Sequence, residues 1–278
     1  MIPCYNGATS RPYPLEEDIR AASAAGFEMI ELWGEKFDAF FRRHSLADLQ
    51  RLLDQNELGV AAIDLVALDY SRPENVEIAV QRARELGTVA QAVGCDLLLL
   101  CSWGDLQGRS KAEGLDLVAD YLRPVCAAAA EFGCRLAIEP LGGHALIPGC
   151  EEALAIIERA QQPNLGLMWD FFHYHKSGVS PAVIRSIPPD KLWLVHVDDA
   201  PDLPRETLRD PDRVYPGAGA LPLYTYFEIL RELGYHGPVS VELFNTGYYQ
   251  LPIDEIADNA YQSLLPYLSK PGVNQALS

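Results

Sequence analysis

The sequence predicts an α/β chain folded as a single (β/α)8 TIM barrel over residues 1–270, followed by a frayed tail at 271–278. Three observations carry that expectation. Eight short apolar runs, each the length of one strand, are spread along the 278 residues. Segments of helical period, with their own start and stop signals, lie between them. No shift in composition and no Pro/Gly/Ser-rich linker divides the chain into two domains. Near-continuous apolar strands that alternate with helices are parallel strands covered on both faces, and eight such units in about 250 residues close into a barrel. A doubly wound open sheet is the competing arrangement. It loses ground because neither a GxGxxG nor a GxxxxGK[ST] turn follows the first run.

The eight runs are residues 2–6, 28–33, 59–64, 95–101, 135–139, 165–170, 192–198 and 239–244. The signals between them are specific. Ser45 followed by Asp48 resembles a capping box that starts a helix, and Pro73 suits a first helical turn. Gly26, Gly94, Gly133 and Gly234 suit the positions where helices stop, because glycine takes a left-handed backbone at little cost. The least regular stretch, residues 199–221, is rich in Pro, Asp and Arg and is long enough to lie as a lid over the barrel mouth.

Composition narrows the function. Against 22 Lys plus Arg stand 39 Asp plus Glu, a net charge of −17 with no basic cluster, which argues against nucleic acid and anionic membrane surfaces as partners. No apolar run approaches the roughly 20 residues needed to cross a bilayer. The opening residues lack the basic and apolar regions of a secretory signal. Six cysteines (4, 95, 101, 126, 134 and 150) are scattered singly in apolar stretches without a CxxC pair, which suits buried reduced thiols and a cytoplasmic location. The balance favours a small neutral ligand.

In a barrel of this type the residues that end each strand face the mouth where chemistry occurs. The fifth run ends in Glu139 and the sixth in Asp170, while the seventh contains His196 and the eighth Glu242. A strand-end carboxylate is often only a helix cap, and a lone histidine in an apolar strand is ordinarily a core residue. Three carboxylates and an imidazole on four successive strands are another matter, because clustered carboxylates repel one another and demand a cation. The oxygen-rich set suits Mn²⁺, Mg²⁺, Co²⁺ or Zn²⁺ and leaves positions open for a substrate.

Further residues are expected around that set. His173, three positions after Asp170, can turn back into the mouth and bind a substrate oxygen, whereas His175 is read as loop packing. Asp198 shares a strand face with His196 and is expected to orient it or bind substrate; Asp199 is expected to be solvated. Arg213, in the lid, is a candidate clamp on a substrate oxygen, with a salt bridge to Asp210 or Asp212 as the plainer reading. Tyr5, Asn6, Glu31, Trp33 and Trp103 are expected to face the mouth, Asn6 and Trp103 as substrate contacts. His144 is a weaker substrate candidate, and His44 and His236 receive no role.

The order of the motifs IEP, WDFFHYH, VHVDD, DRVYPGAGALPL and VSVELF resembles the xylose-isomerase-like superfamily of metal-dependent sugar isomerases and epimerases, over essentially the whole chain. The opening CYNGATS, the lid and the final strand are most similar to its inosose isomerase branch, whose motifs overlap with those of inosose dehydratases and ketohexose 3-epimerases. The segment PLGGHALIPGC after Glu139 departs from that pattern. The resemblance implies one divalent metal held by Glu139, Asp170, His196 and Glu242, a substrate contact at His173, and the two glutamates as acid/base pair. It also implies a small polyol or ketose substrate and, as in similar barrels, a homodimer. The expected reaction moves a ketone between adjacent carbons through an enediolate and needs no nucleotide cofactor. Dehydration or 3-epimerisation on the same residues is the alternative, and a non-catalytic polyol binder the remote one.

Overall fold

The computed structural model describes residues 1–268 apart from 73, 103 and 105, and apart from the side chain of residue 65. Pro73, Trp103 and the tail at 271–278, each singled out above, therefore lie outside the described residues. Eight parallel strands close a barrel in sequence order: β1 (Ile2–Asn6), β2 (Met29–Leu32), β3 (Gly59–Leu68), β4 (Leu97–Ser102), β5 (Arg135–Glu139), β6 (Leu165–Asp170), β7 (Leu192–Val197) and β8 (Pro238–Val241), with β1 paired to β8. Helices lie between successive strands. Among the described residues, no helix is long and apolar enough to cross a membrane.

The local signals act as expected where they can be followed. Ser45 and Asp48 form a reciprocal capping box on the helix Leu46–Gln55, and Gly26 and Gly94 end their helices with left-handed backbone at φ 107° and 71°. A second capping box, Ser110 with Glu113, starts the helix Lys111–Ala130. One boundary differs in an informative way: β3 continues to Leu68 instead of stopping at Asp64. A charged residue inside an apolar run reads as a strand end, yet Asp64 is buried and points into the barrel beside Glu31, so pairing continues past it.

Two apolar layers result from the strand period of two. Cys4, Ala61, Ala62, Leu97, Leu99, Ala137, Met168 and Leu194 plug the barrel interior, and a larger shell packs between strands and helices. Above the plug, at the C-terminal strand ends, the interior becomes polar. Cross-strand register brings Asn6 level with Glu31, Cys101 with Glu139, and Asp170 with His196.

Candidate metal centre in the barrel mouth

Glu139, Asp170, His196 and Glu242 converge, each offering one ligand atom, and these atoms all lie within 4.8 Å of one another. Each side chain is placed by its strand. Glu139 and Asp170 are the last residues of β5 and β6, His196 is the next-to-last of β7, and Glu242 follows β8 directly, its N–H still donating to the Val197 carbonyl at 3.3 Å. Asp170 has a second task, because its Oδ1 accepts from the His173 N–H (2.6 Å) and caps the helix Phe171–Ser177. That cap turns the chain so that His173 faces back to the mouth, with its Nε2 3.9 Å from Glu139.

The histidine is oriented from behind. His196 Nε2 lies 2.9 and 3.1 Å from the two oxygens of Glu31, so this nitrogen carries the proton and donates it to the carboxylate. Nδ1 then presents its lone pair to Glu242 (3.1 Å), Glu139 (3.6 Å) and Asp170 (3.6 Å), makes no hydrogen bond, and is buried. An imidazole nitrogen without a partner, facing three carboxylate oxygens, fits a divalent cation, and the carboxylate behind the ring is the usual device for aiming a histidine ligand. Burial and the Glu31 charge push the neighbouring Asp64 carboxyl well above the usual carboxylate range. Burial likewise raises Glu242, to about 6.

Arg213 reaches into the mouth from the 199–221 segment and is 1 % exposed. Its Nη1 donates to Asp170 (2.7 Å), Asp198 (2.5 Å) and Glu242 (3.2 Å), and its Nη2 to His173 Nε2 (3.1 Å) and Asp210 (3.3 Å). Of the two readings of Arg213 from sequence, the salt bridge to Asp210 is present, and the side chain bridges that lid carboxylate to the buried ones. Phe172 and Phe244 flank the guanidinium at 4.7 and 5.4 Å. Because arginine only donates, His173 Nε2 is the unprotonated nitrogen of a neutral ring; burial holds that imidazole below its ordinary pKa.

Several expectations need correction. Asp199 is not solvated: it is 1 % exposed, and its carboxylate accepts from the N–H groups of Ala200, Gly217, Gly219 and Leu221 at 2.8–3.0 Å, which folds the lid. Gly219 is required there, since a Cβ would come 2.3 Å from the Ala200 carbonyl oxygen. Tyr5 faces away from the mouth and packs on Phe27 in the outer core, because its neighbours Cys4 and Asn6 take the interior positions. His144 contacts the protein itself: Nδ1 accepts from the Leu146 and Ile147 N–H groups (3.1 and 2.9 Å) and Nε2 donates to the Gly104 carbonyl (2.8 Å), tying the segment after β5 to the one after β4. His175 lies half-buried on a helix, not in a loop.

Asn6 reaches the site through Glu242, to which its Nδ2 donates at 3.3 Å. Asp198 is held by Arg213 and pushed above the ordinary carboxylate range by burial and Asp170. Trp33 stands at the rim, 6.2 Å from the Phe244 ring, with Arg11 over its face. Two interior residues were missed from sequence, Asp64 and Cys101. An acid inside an apolar run and a thiol ending another were the available signals, and both also fit ordinary core positions.

A family model for the xylose isomerase-like TIM barrel matches residues 19–267. The chain belongs to that family. The inosose isomerase of Halalkalibacterium halodurans is 28% identical over 275 residues, covering 96% of each chain, and that of Bacillus velezensis is 26% identical over 98% of this chain and 99% of its own. The 3-dehydroshikimate dehydratase of Pseudomonas aeruginosa is 31% identical across 90% of this chain, which spans 39% of that longer protein. Among solved structures, the IOLI protein, crystallised with a zinc atom, superposes with a TM-score of 0.89 at 27% identity, over 96% of this chain and 98% of its own.

Proposed function

We propose that this protein is a metal-dependent inosose isomerase that moves a ketone between adjacent ring carbons, with Glu139 and Glu242 as the acid/base pair. The observation that carries the reading is the cluster itself: two buried glutamates from β5 and β8 flank an orphaned histidine nitrogen in one mouth. The charge of the mouth supports a neutral substrate. Among the described residues, the arginine or lysine within hydrogen-bond reach of the cluster is Arg213, and four carboxylates already surround it, so a substrate carboxylate or phosphate would find no free cation. The two relatives named inosose isomerase above match over 96–99% of both chains, whereas the dehydratase match spans 39% of its protein.

A divalent cation held by Glu139, Asp170, His196 and Glu242 (Mn²⁺, Mg²⁺, Co²⁺ or Zn²⁺) supplies Lewis-acid polarisation of the ketone and its neighbouring hydroxyl. One glutamate removes the proton from the hydroxyl-bearing carbon. The other carries the hydroxyl proton to the former carbonyl oxygen, and the enediolate is reprotonated on the former carbonyl carbon. No atom is gained or lost, and the ketone has moved by one position. Two positioned carboxylates speed such transfers by roughly 10² to 10⁴-fold each. His173 steadies a substrate oxygen, Arg213 fixes Asp170, Asp198, Glu242 and His173 around it, and burial of both glutamates keeps bulk water from competing for the protons. Six buried, unpaired cysteines support a reducing compartment, the cytoplasm.

Proton NMR of 2-keto-myo-inositol in D₂O, with metal-loaded and EDTA-treated protein, tests the reading. Metal-dependent deuterium uptake with a second inosose is the expected result. Loss of water to a diketone would assign the dehydratase reaction instead, and inertness toward inososes with turnover of free ketohexoses would assign the epimerase.

A further inference from the structure

The turn after β1, Gly7–Ser10, is buried throughout and grips Glu242 from two directions. The Thr9 hydroxyl donates to the Val241 carbonyl (2.8 Å) and accepts from the Leu243 N–H (3.0 Å), so one side chain spans the peptide groups on both sides of Glu242. Asn6 holds the carboxylate itself. Its Oδ1 accepts from the Ala8 N–H at 2.8 Å, which sets the amide so that Nδ2 faces Glu242 Oε1, and Oε2 is left toward His196. β8 ends at Val241, so regular pairing stops just where this residue begins.

The far side of the turn is anchored to a buried ion pair. Lys36 Nζ donates to the Ser10 carbonyl (2.8 Å) and to Asp18 (2.6 and 2.7 Å), and Ser10 Oγ donates to Asp18. At Gly7 an added Cβ would meet Asp18 and Trp33 at 3.2 Å, so the turn sits directly on that pair and on the rim of the mouth.

We propose that Thr9 is a positioning residue for Glu242: its hydroxyl sets the backbone from which the carboxylate reaches the cluster, and Asn6 sets the rotation of that carboxylate. The inference rests on the acid/base role proposed for Glu242 and assigns what holds it. Replacing the hydroxyl with a methyl group leaves the Leu243 N–H without its buried partner, and a displacement of about 1 Å can cost about 10²-fold in rate.

Three variants, T9V, T9S and N6A, test it through zinc affinity by chelator competition, through kcat and KM on an inosose, and through thermal unfolding. T9V should weaken zinc binding by about tenfold or more and lower kcat by about 10- to 100-fold with KM within threefold, the range for partners that orient a ligand. T9S, which keeps the hydroxyl, should restore most of both. Zinc affinity and turnover of T9V equal to those of the unaltered protein would overturn the proposal, as would T9S failing as badly as T9V. Should T9V not fold, N6A decides: unchanged zinc affinity and kcat overturn the cradle, and a loss of either supports it. If the unaltered protein binds zinc but converts no inosose, the substrate reading falls, while the zinc comparison among the variants still decides Thr9.

Discussion

Glu31 offers a way to weaken the site from behind His196, without altering any of the four clustered side chains. Its carboxylate receives the His196 Nε2 proton at 2.9 Å, and the two side chains are 0 % and 1 % exposed, so solvent does not screen the contact. A hydrogen bond to a charged acceptor is worth about 1.5–3 kcal/mol, which corresponds to about 10- to 150-fold in a binding constant. Glu31→Gln keeps an oxygen that accepts the same proton, and with it the ring orientation and tautomer, but removes the charge that makes Nδ1 a better donor to a cation. Asp64 complicates the single variant. The Glu31 charge helps hold Asp64 above the ordinary carboxylate range, so its removal lets Asp64 ionise and replace the lost charge. The decisive protein is therefore E31Q/D64N. Its zinc affinity, from competition with a chromophoric chelator, should fall by that factor, and the far-downfield imidazole N–H resonance of His196 should move upfield. Zinc binding within threefold of the unaltered protein would refute the role given to Glu31.

Three more outcomes follow from the same geometry. Glu242→Gln should fold normally, lose about 10²-fold or more in turnover and bind zinc more weakly; near-normal turnover would exclude it from the acid/base pair. Lys36→Met strands Asp18 in the interior and should cost about 3–5 kcal/mol in denaturant unfolding, with K36M/D18L recovering part of the loss; a K36M protein of unchanged stability would show that the buried pair contributes nothing. Burial holds the His144 imidazole below its ordinary pKa, so its contribution is fully present above about pH 6.5 and is lost as the pH falls through the folded value. The stability gap between the unaltered protein and H144A should accordingly narrow on acidification, and a gap that is constant or widens would contradict the neutral ring whose Nδ1 accepts from Leu146 and Ile147.

The convergence of these four residues was legible in sequence because barrel geometry maps strand ends onto one mouth: Glu139 and Asp170 end apolar runs, and His196 and Glu242 interrupt them. Residues that act through others were harder to read. Glu31 stood among the candidates for the mouth without a role, since its partner His196 is 165 positions away. Thr9 stood inside the opening CYNGATS without a role of its own, because a threonine in a loop is ordinary and its two hydrogen bonds go to backbone more than 230 residues distant. Asp199 and Tyr5 were misread for opposite reasons: an acid in a polar segment suggests solvent, and an aromatic at a strand end suggests the mouth, whereas hydrogen bonding and strand alternation decide otherwise.

Local chemistry in the sequence therefore determined the elements, their alternation, the barrel and the four residues of the candidate metal centre, since period, caps and strand ends are short-range properties. Tertiary structure alone decided how those four residues are held. The proton on His196, the grip on Glu242 and the bridging of four carboxylates by Arg213 each depend on side chains far apart in sequence, which only closure of the barrel brings within hydrogen-bond reach.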